Sequence, residues 1–199
     1  LFPALLLGGL YGKAAGGPPL RVLVTGAGGF IGGAVAGYLA GEGHEVLLHR
    51  GRKVGGVEPA PGVGAVVNAA GKLVSGGTGE REALEANAGF PEALGRMCAG
   101  AGVPLIHLST PGVCGLVPGS RENSPLAPEG LYERTKAEGE RRLGALDLPP
   151  GGLTILRPDF VFGPGDGHKL VLFRQAAGGW FPVVGREGAR TRPTHVLDV

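Results

Sequence analysis

RVLVTGAGGFIGG, residues 21–33, places five glycines in the nine positions 25–33, directly behind a β-branched apolar run. Arg21–Thr25 reads as a strand, and residues 30–40 as an alanine-rich helix ending at Gly41 and Gly43. The spacing Gly26-x-x-Gly29-x-x-Gly32 joins the two. A glycine turn opening a helix is a seat for a pyrophosphate, because the first amides of a helix lack intrahelical acceptors and its dipole favours an anion there. Gly26 would allow the tight turn, Gly29 the approach of phosphate to the backbone, and Gly32 the close packing of helix on strand. The fuller G-x-G-x-x-G spacing fails, since Ile31 stands at its last glycine. With 41 glycines in 199 residues the cluster alone says little, and the strand before it and the helix after it give it meaning.

Working outward, Glu45–His49 reads as a second strand and residues 65–68 as a third. A helix over 80–101 follows, interrupted by Gly89, Pro91 and Gly95. A strand over 103–108, a charged-faced helix over 131–146 and a strand at Leu153–Leu156 complete the series. Strands separated by helices predict an α/β protein with a doubly wound parallel sheet, and strands that are short apolar runs predict cover on both faces. Composition agrees: 43% of residues are hydrophobic, net charge is +2, and no basic run calls for nucleic acid. The two cysteines, Cys98 and Cys114, form no CxxC or metal-ligand spacing, so a cytoplasmic protein without a metal site is expected. The apolar start, residues 1–20, is broken by Pro3, Gly8 and Gly9 and is too short to span a membrane. It is expected to be a loosely ordered leader, and a chain beginning with Leu1 hints at a fragment.

Further motifs stand in order behind the glycine turn: VVNAAG at 66–71, Asn87 in a helix, HLSTPGVCG at 107–115, YERTK at 132–136 and LRPDFVFGPGD at 156–166. Together with TGAGGFIG they resemble the extended short-chain dehydrogenase/reductase family, in its NAD(P)-dependent epimerase/dehydratase and 3β-hydroxysteroid-dehydrogenase branch. The resemblance implies a Rossmann-type nucleotide-binding domain over 21–165 and the start of a substrate lobe over 166–199 that would continue beyond Val199. It also implies a pyrophosphate site at Gly26, Gly29, Phe30, Ile31 and Gly32, with Ala69, Ala70 and Gly71 along the adenosine and Pro158 near the nicotinamide.

The chemistry implied is hydride transfer to or from a secondary alcohol or ketone. Tyr132 and Lys136 are one helical turn apart, and a nearby ammonium would favour the tyrosinate that exchanges a proton with substrate. In the family the lysine also bonds the nicotinamide ribose. Thr110 would orient the substrate oxygen, with Ser109 as the competing hydroxyl, and Asn87 matches the family's helix asparagine. At the end of the second strand an acid would favour NAD, whereas this sequence has Arg50 with Arg52 and Lys53 beside it, which favours NADP. His195 is read as structural and Cys114 as packing. The substrate would be a small molecule such as a sugar nucleotide, a steroid-like compound or another alcohol or ketone, and the protein a possible homodimer without nucleic acid or membrane partners. Dehydrogenase, epimerase and dehydratase chemistries remain open, as does a non-catalytic NAD(P)-binding module serving as sensor or assembly factor.

Two departures from the family pattern stand out. Only about fifteen residues lie between Arg50 and Val66, including Pro59, Pro61 and five glycines, where a helix and a further strand are expected. One crossover should therefore be lost or reduced. Thr191, flanked by Arg190 and Arg192, stands where nucleotide-sugar enzymes of the family often place a phosphate-binding arginine.

Overall fold

A computed structural model describes residues 18–51, 61–74, 77, 79–115, 119–167, 169–180 and 192–199. The expected leader, Arg52, Lys53, Arg190 and Thr191 lie outside the described residues, apart from the leader's last three. Strand β1 (Arg21–Thr25) leads through the glycine turn into α1 (Phe30–Gly41), then β2 (Glu45–His49) and β3 (Val63–Asn68) follow. Helix α2 (Glu80–Leu84), a π-helical turn (Glu85–Gly89) and α3 (Phe90–Ala101) run on from one another. Strand β4 (Leu105–Leu108), a 3₁₀ turn (Pro111–Cys114), α4 (Leu131–Gly144) and β5 (Leu153–Leu156) complete the main unit. Beyond it lie β6 (Val161–Phe162), α5 (Leu170–Ala177), β7 (Thr194–His195) and a 3₁₀ turn (Val196–Asp198). None of the helices among the described residues is long and apolar enough to cross a membrane.

The five strands β1–β5 form one parallel sheet in the order β2-β1-β3-β4-β5. From β1 the chain moves one way to β2 and the other way to β3, which makes the carboxyl ends of β1 and β3 the topological switch point where open α/β sheets bind ligands. The sheet is doubly wound and Rossmann-type. Among the described residues β2 is an edge strand, in keeping with a shortened crossover between β2 and β3.

Alternation along the strands sorts the core into two layers. Leu23, Val66 and Leu105 face Phe90, Leu94 and Cys98 of α3 and Leu143 of α4. Val22, Val24, Ala65, Val67 and Ile106 face Ala36 and Leu39 of α1. Each large side chain so buried contributes about 1.5–3 kcal/mol. Cover on both faces holds for β1, β3 and β4 but not for the edges: β2 leaves Leu48 52% exposed, and β5 is only half-buried along its length. An edge strand has a neighbour on one side only, so its faces are covered less completely.

The helix expected over 80–101 is continuous, with a physical answer for Gly89 and Pro91 among its three breakers. The π turn ends at Gly89, so Pro91 falls in the first turn of α3, where its missing N–H costs nothing. The segment beyond Gly165 returns to the main unit, since β7 pairs with β6 in parallel and Val196 is buried. The His195 ring is set edge-on to Phe162, and its Nδ1 accepts from the Leu197 amide.

Candidate functional site

The glycine turn sits at the switch point, and its glycines are of two kinds. Gly26 has φ of +72°, and a Cβ there would lie 2.5 Å from the Ala70 amide nitrogen, so only glycine lets β1 turn against the end of β3. A Cβ on Gly32 would fall on the Gly26 carbonyl oxygen, which fixes how tightly α1 starts. Gly28 and Gly29 are exposed, and at Gly28 the nearest neighbours of an added Cβ are carbons of Arg50, from 3.8 Å away. The stem of Arg50 thus lies along the turn. Gly29 caps α1 without a side-chain bond, and no acidic residue occupies the first turn. The open backbone and the free first-turn amides of a twelve-residue helix fit a dinucleotide pyrophosphate. Phe30 and Ile31 are half-buried in that first turn, with Phe30 Cδ2 3.8 Å from where a Cβ on Gly165 would stand.

Beside the turn, the Ala69 amide donates to the Thr25 carbonyl at 3.1 Å, and the chain runs on through Ala70 and Gly71. Asn87 holds this loop. Its Oδ1 accepts from the Lys72 amide at 2.8 Å, and its Nδ2 donates to the Lys72 carbonyl at 2.9 Å and to Thr135 Oγ1 at 3.0 Å. The π turn aims Asn87 inward, and α4 comes close because Gly139 has no Cβ: one there would fall on the Asn87 carbonyl oxygen. Asn87 therefore ties three segments together and is not the helix-surface amide that its sequence position would also allow.

On α4, Tyr132 is half-buried and Lys136 is 3% exposed. Lys136 Nζ donates to the Leu108 carbonyl at 2.6 Å, which locks α4 onto the end of β4 just before Ser109 and Thr110. A Cβ on Gly112 would lie 2.7 Å from Glu133 Cγ, so the turn after Thr110 packs on the first turn of α4. The electrostatics differ from the sequence expectation. Burial, with Glu133 beside it, pushes the Tyr132 phenol up rather than down. Burial brings Lys136 down to about 8, with Glu140 opposing. Lys136 Nζ is turned to the Leu108 carbonyl at the strand end, and burial together with the Glu133 carboxylate sets the direction of the phenol.

Ser109 is buried and its Oγ has no partner among the described residues, whereas Thr110 is half-exposed. A buried hydroxyl at the carboxyl edge of the sheet usually has a hydrogen-bond partner, which makes this one an exception. Pro158 is half-buried on the chain leaving β5, beside Arg157, which clasps the buried Glu140 through Nε at 3.0 Å and Nη2 at 2.5 Å. Cys114 is buried with Sγ 3.4 Å from Arg157 Nη1, in accord with packing.

Sequence reading missed the polar groups beneath this edge: Thr25, Asn68 and His107, all fully buried, and the Glu140–Arg157 pair. A polar residue at the end of two apolar strands, and one place before the end of a third, was the available signal.

A doubly wound parallel sheet with a glycine turn at its switch point defines a nucleotide-binding protein of the Rossmann type. The chain belongs to the NAD dependent epimerase/dehydratase family, which it matches over residues 22–193. It is 30% identical over 194 residues to the dTDP-4-dehydrorhamnose reductase of Mycobacterium tuberculosis (strain CDC 1551 / Oshkosh), covering 90% of this chain and 63% of that one. It spans about half, 51%, of the corresponding reductase of Mycolicibacterium smegmatis, at 32% identity over 79% of this chain. Among solved structures it resembles MoeE5 in complex with UDP-glucose and NAD, at 26% identity and a TM-score of 0.69 over 88% of this chain and 68% of that one. TunA, an NAD-dependent NDP-hexosamine 5,6-dehydratase involved in tunicamycin biosynthesis, superposes with a TM-score of 0.72 at 25% identity, covering 89% and 69% of the two chains.

Proposed function

We propose that the whole protein is an NAD(P)-dependent oxidoreductase, epimerase or dehydratase acting on a secondary alcohol or ketone of a sugar nucleotide. One observation carries this reading: the bond from Lys136 Nζ to the Leu108 carbonyl fastens the Tyr–Lys helix to the strand end that bears Ser109 and Thr110, at the edge of the sheet where the glycine turn lies. The kind of substrate is supported by the sugar-nucleotide chemistry in the names of its relatives.

When bound, the nicotinamide ring supplies or receives the hydride. The chain's own residues do the rest. Gly26 and Gly32 shape the turn, and the amides of Phe30, Ile31 and Gly32 would hold the pyrophosphate. Ala69, Ala70 and Gly71, held by Asn87, would line the adenosine side, and Pro158 would be near the nicotinamide. Thr110, or Ser109 with its unpartnered hydroxyl, orients the substrate oxygen, and Tyr132 gives or takes its proton. A phenol that burial keeps protonated begins as the acid, the form a ketone substrate requires.

Replacing Tyr132 with Phe should lower turnover by about 10²–10⁴-fold with cofactor affinity largely kept. Equal turnover in both forms would remove Tyr132 from the chemistry, and cofactor binding without turnover in either would favour the non-catalytic module. The finer proposal is a preference for NADP, resting on Arg50 beside Gly28, although the solved relatives are named for NAD. A fluorescence titration should show NADPH binding tighter than NADH. Arg50→Ala should weaken NADPH about tenfold and leave NADH unchanged, as loss of one charge-assisted phosphate contact requires. Equal affinities in the unaltered chain would assign it to NAD.

A further inference from the structure

One step along the sheet from its apolar core lies a row of polar side chains. Leu23, Val66 and Leu105 stand side by side in register, and two residues further along the same strands stand Thr25, Asn68 and His107. All three are fully buried. Such a row is tolerated inside a protein only when its atoms are partnered. Thr25 Oγ1 donates to Asn68 Oδ1 at 2.7 Å, and the Ala70 amide donates to the same oxygen at 3.1 Å. A backbone amide can only donate, which identifies that end of the Asn68 amide as the oxygen. Asn68 Nδ2 therefore donates to His107 Nδ1 at 3.0 Å. An accepting Nδ1 carries no proton, and burial keeps the ring neutral by holding its pKa well below the usual range, so the single proton sits on Nε2. That Nε2 faces Lys136 Nζ at 3.5 Å.

Among the described residues, Lys136 meets few other groups. The Leu108 carbonyl accepts from it, Glu140 lies one turn on and favours the ammonium, and Tyr132 lies one turn back. Glu140 is already committed to Arg157. An uncharged amine can accept the histidine N–H and still donate to Leu108, whereas an ammonium sets its own N–H groups against it.

We infer that His107, fixed as its Nε2–H tautomer by Asn68 and Thr25, is a positioning residue that presents an N–H to Lys136 Nζ and favours the uncharged amine. Burial acts in the same sense, and a lysine so poised can exchange a proton near neutral pH. The inference rests on the proposed function only in giving Lys136 its role beside Tyr132.

NMR of the ¹⁵N,¹³C-labelled chain without cofactor tests it. Long-range ¹H–¹⁵N spectra should show His107 as the Nε2–H tautomer, and the Lys136 ¹³Cε resonance, assigned by its loss in Lys136→Arg, should titrate near 8. His107→Leu removes the donor and should raise that midpoint by about one pH unit. His107→Gln, whose side-chain amide can stand in for Nε2–H, should bring it back. An Nδ1–H tautomer, an ordinary lysine midpoint in the unaltered chain, or no rise in His107→Leu would overturn the inference. Should the leucine variant not fold, the tautomer and midpoint of the unaltered chain decide. An NADPH and NADH titration of the same sample tests the proposed function separately: a chain with the expected tautomer and midpoint that binds neither cofactor breaks that reading alone.

Discussion

The glycine turn and the buried polar row meet at the same end of the sheet, yet one is built from main chain and the other from side chains. In the turn the decisive feature is what glycine lacks: a Cβ at Gly26 or Gly32 would strike the backbone of the neighbouring segment or of the turn itself. In the row the decisive feature is which atom each side chain presents, from Thr25 through Asn68 and His107 to Lys136. A main-chain site is intolerant of added volume and indifferent to pH. A side-chain network tolerates isosteric change poorly and responds to protons.

The sharpest way to break this contrast is volume. Gly32→Ala should cost several kcal/mol or prevent folding, because its Cβ has no room beside the Gly26 carbonyl, whereas Gly28→Ala should change stability by less than about 1 kcal/mol. Urea unfolding of the two variants checks it, and equal effects would mean that the turn can relax. Charge comes next. Glu140→Gln should cost about 2 kcal/mol, below the usual cost of breaking a fully buried pair because the Arg157 side chain keeps 21% exposure. A loss of only a few tenths in the same assay would show that the clasp is dispensable.

The smallest effect is in pH. His107 has a folded pKa lowered well below its unfolded value of 6.5. Its neutral form is therefore fully accommodated above pH 6.5, and stability falls as pH drops below 6.5, where the unfolded chain takes up a proton that the folded one refuses. The slope due to this one group approaches about 1.4 kcal/mol per pH unit. Thermal unfolding at pH 5.5 and 7.5 should show a gap that narrows in His107→Gln.

The same contrast explains what the sequence made legible. Local geometry was readable: the glycine turn, the strands around it, and the one-turn spacing of Tyr132 and Lys136 all depend on residues near one another in the chain. The helix over 80–101 was readable too, but not the π turn that points Asn87 inward, because helix propensity does not register one extra residue per turn. The polar row was hidden for a different reason. Thr25, Asn68 and His107 become neighbours only through strand register, and nothing within each strand shows which polar end faces the next. The phenol's direction was missed because a helical spacing places Lys136 near Tyr132 without saying where its long side chain ends. It ends on the Leu108 carbonyl.

The short parallel pair of Val161–Phe162 with Thr194–His195 has a consequence for how such a protein diversifies. It brings the two ends of the intervening stretch together, and a Cβ on Gly163 would lie 2.7 Å from Val196 Cγ1, so the closure is tight. The pair fixes where the chain leaves β6 and where it re-enters β7. For anyone recombining members of this family, positions 163 and 193 are the natural points at which to cut.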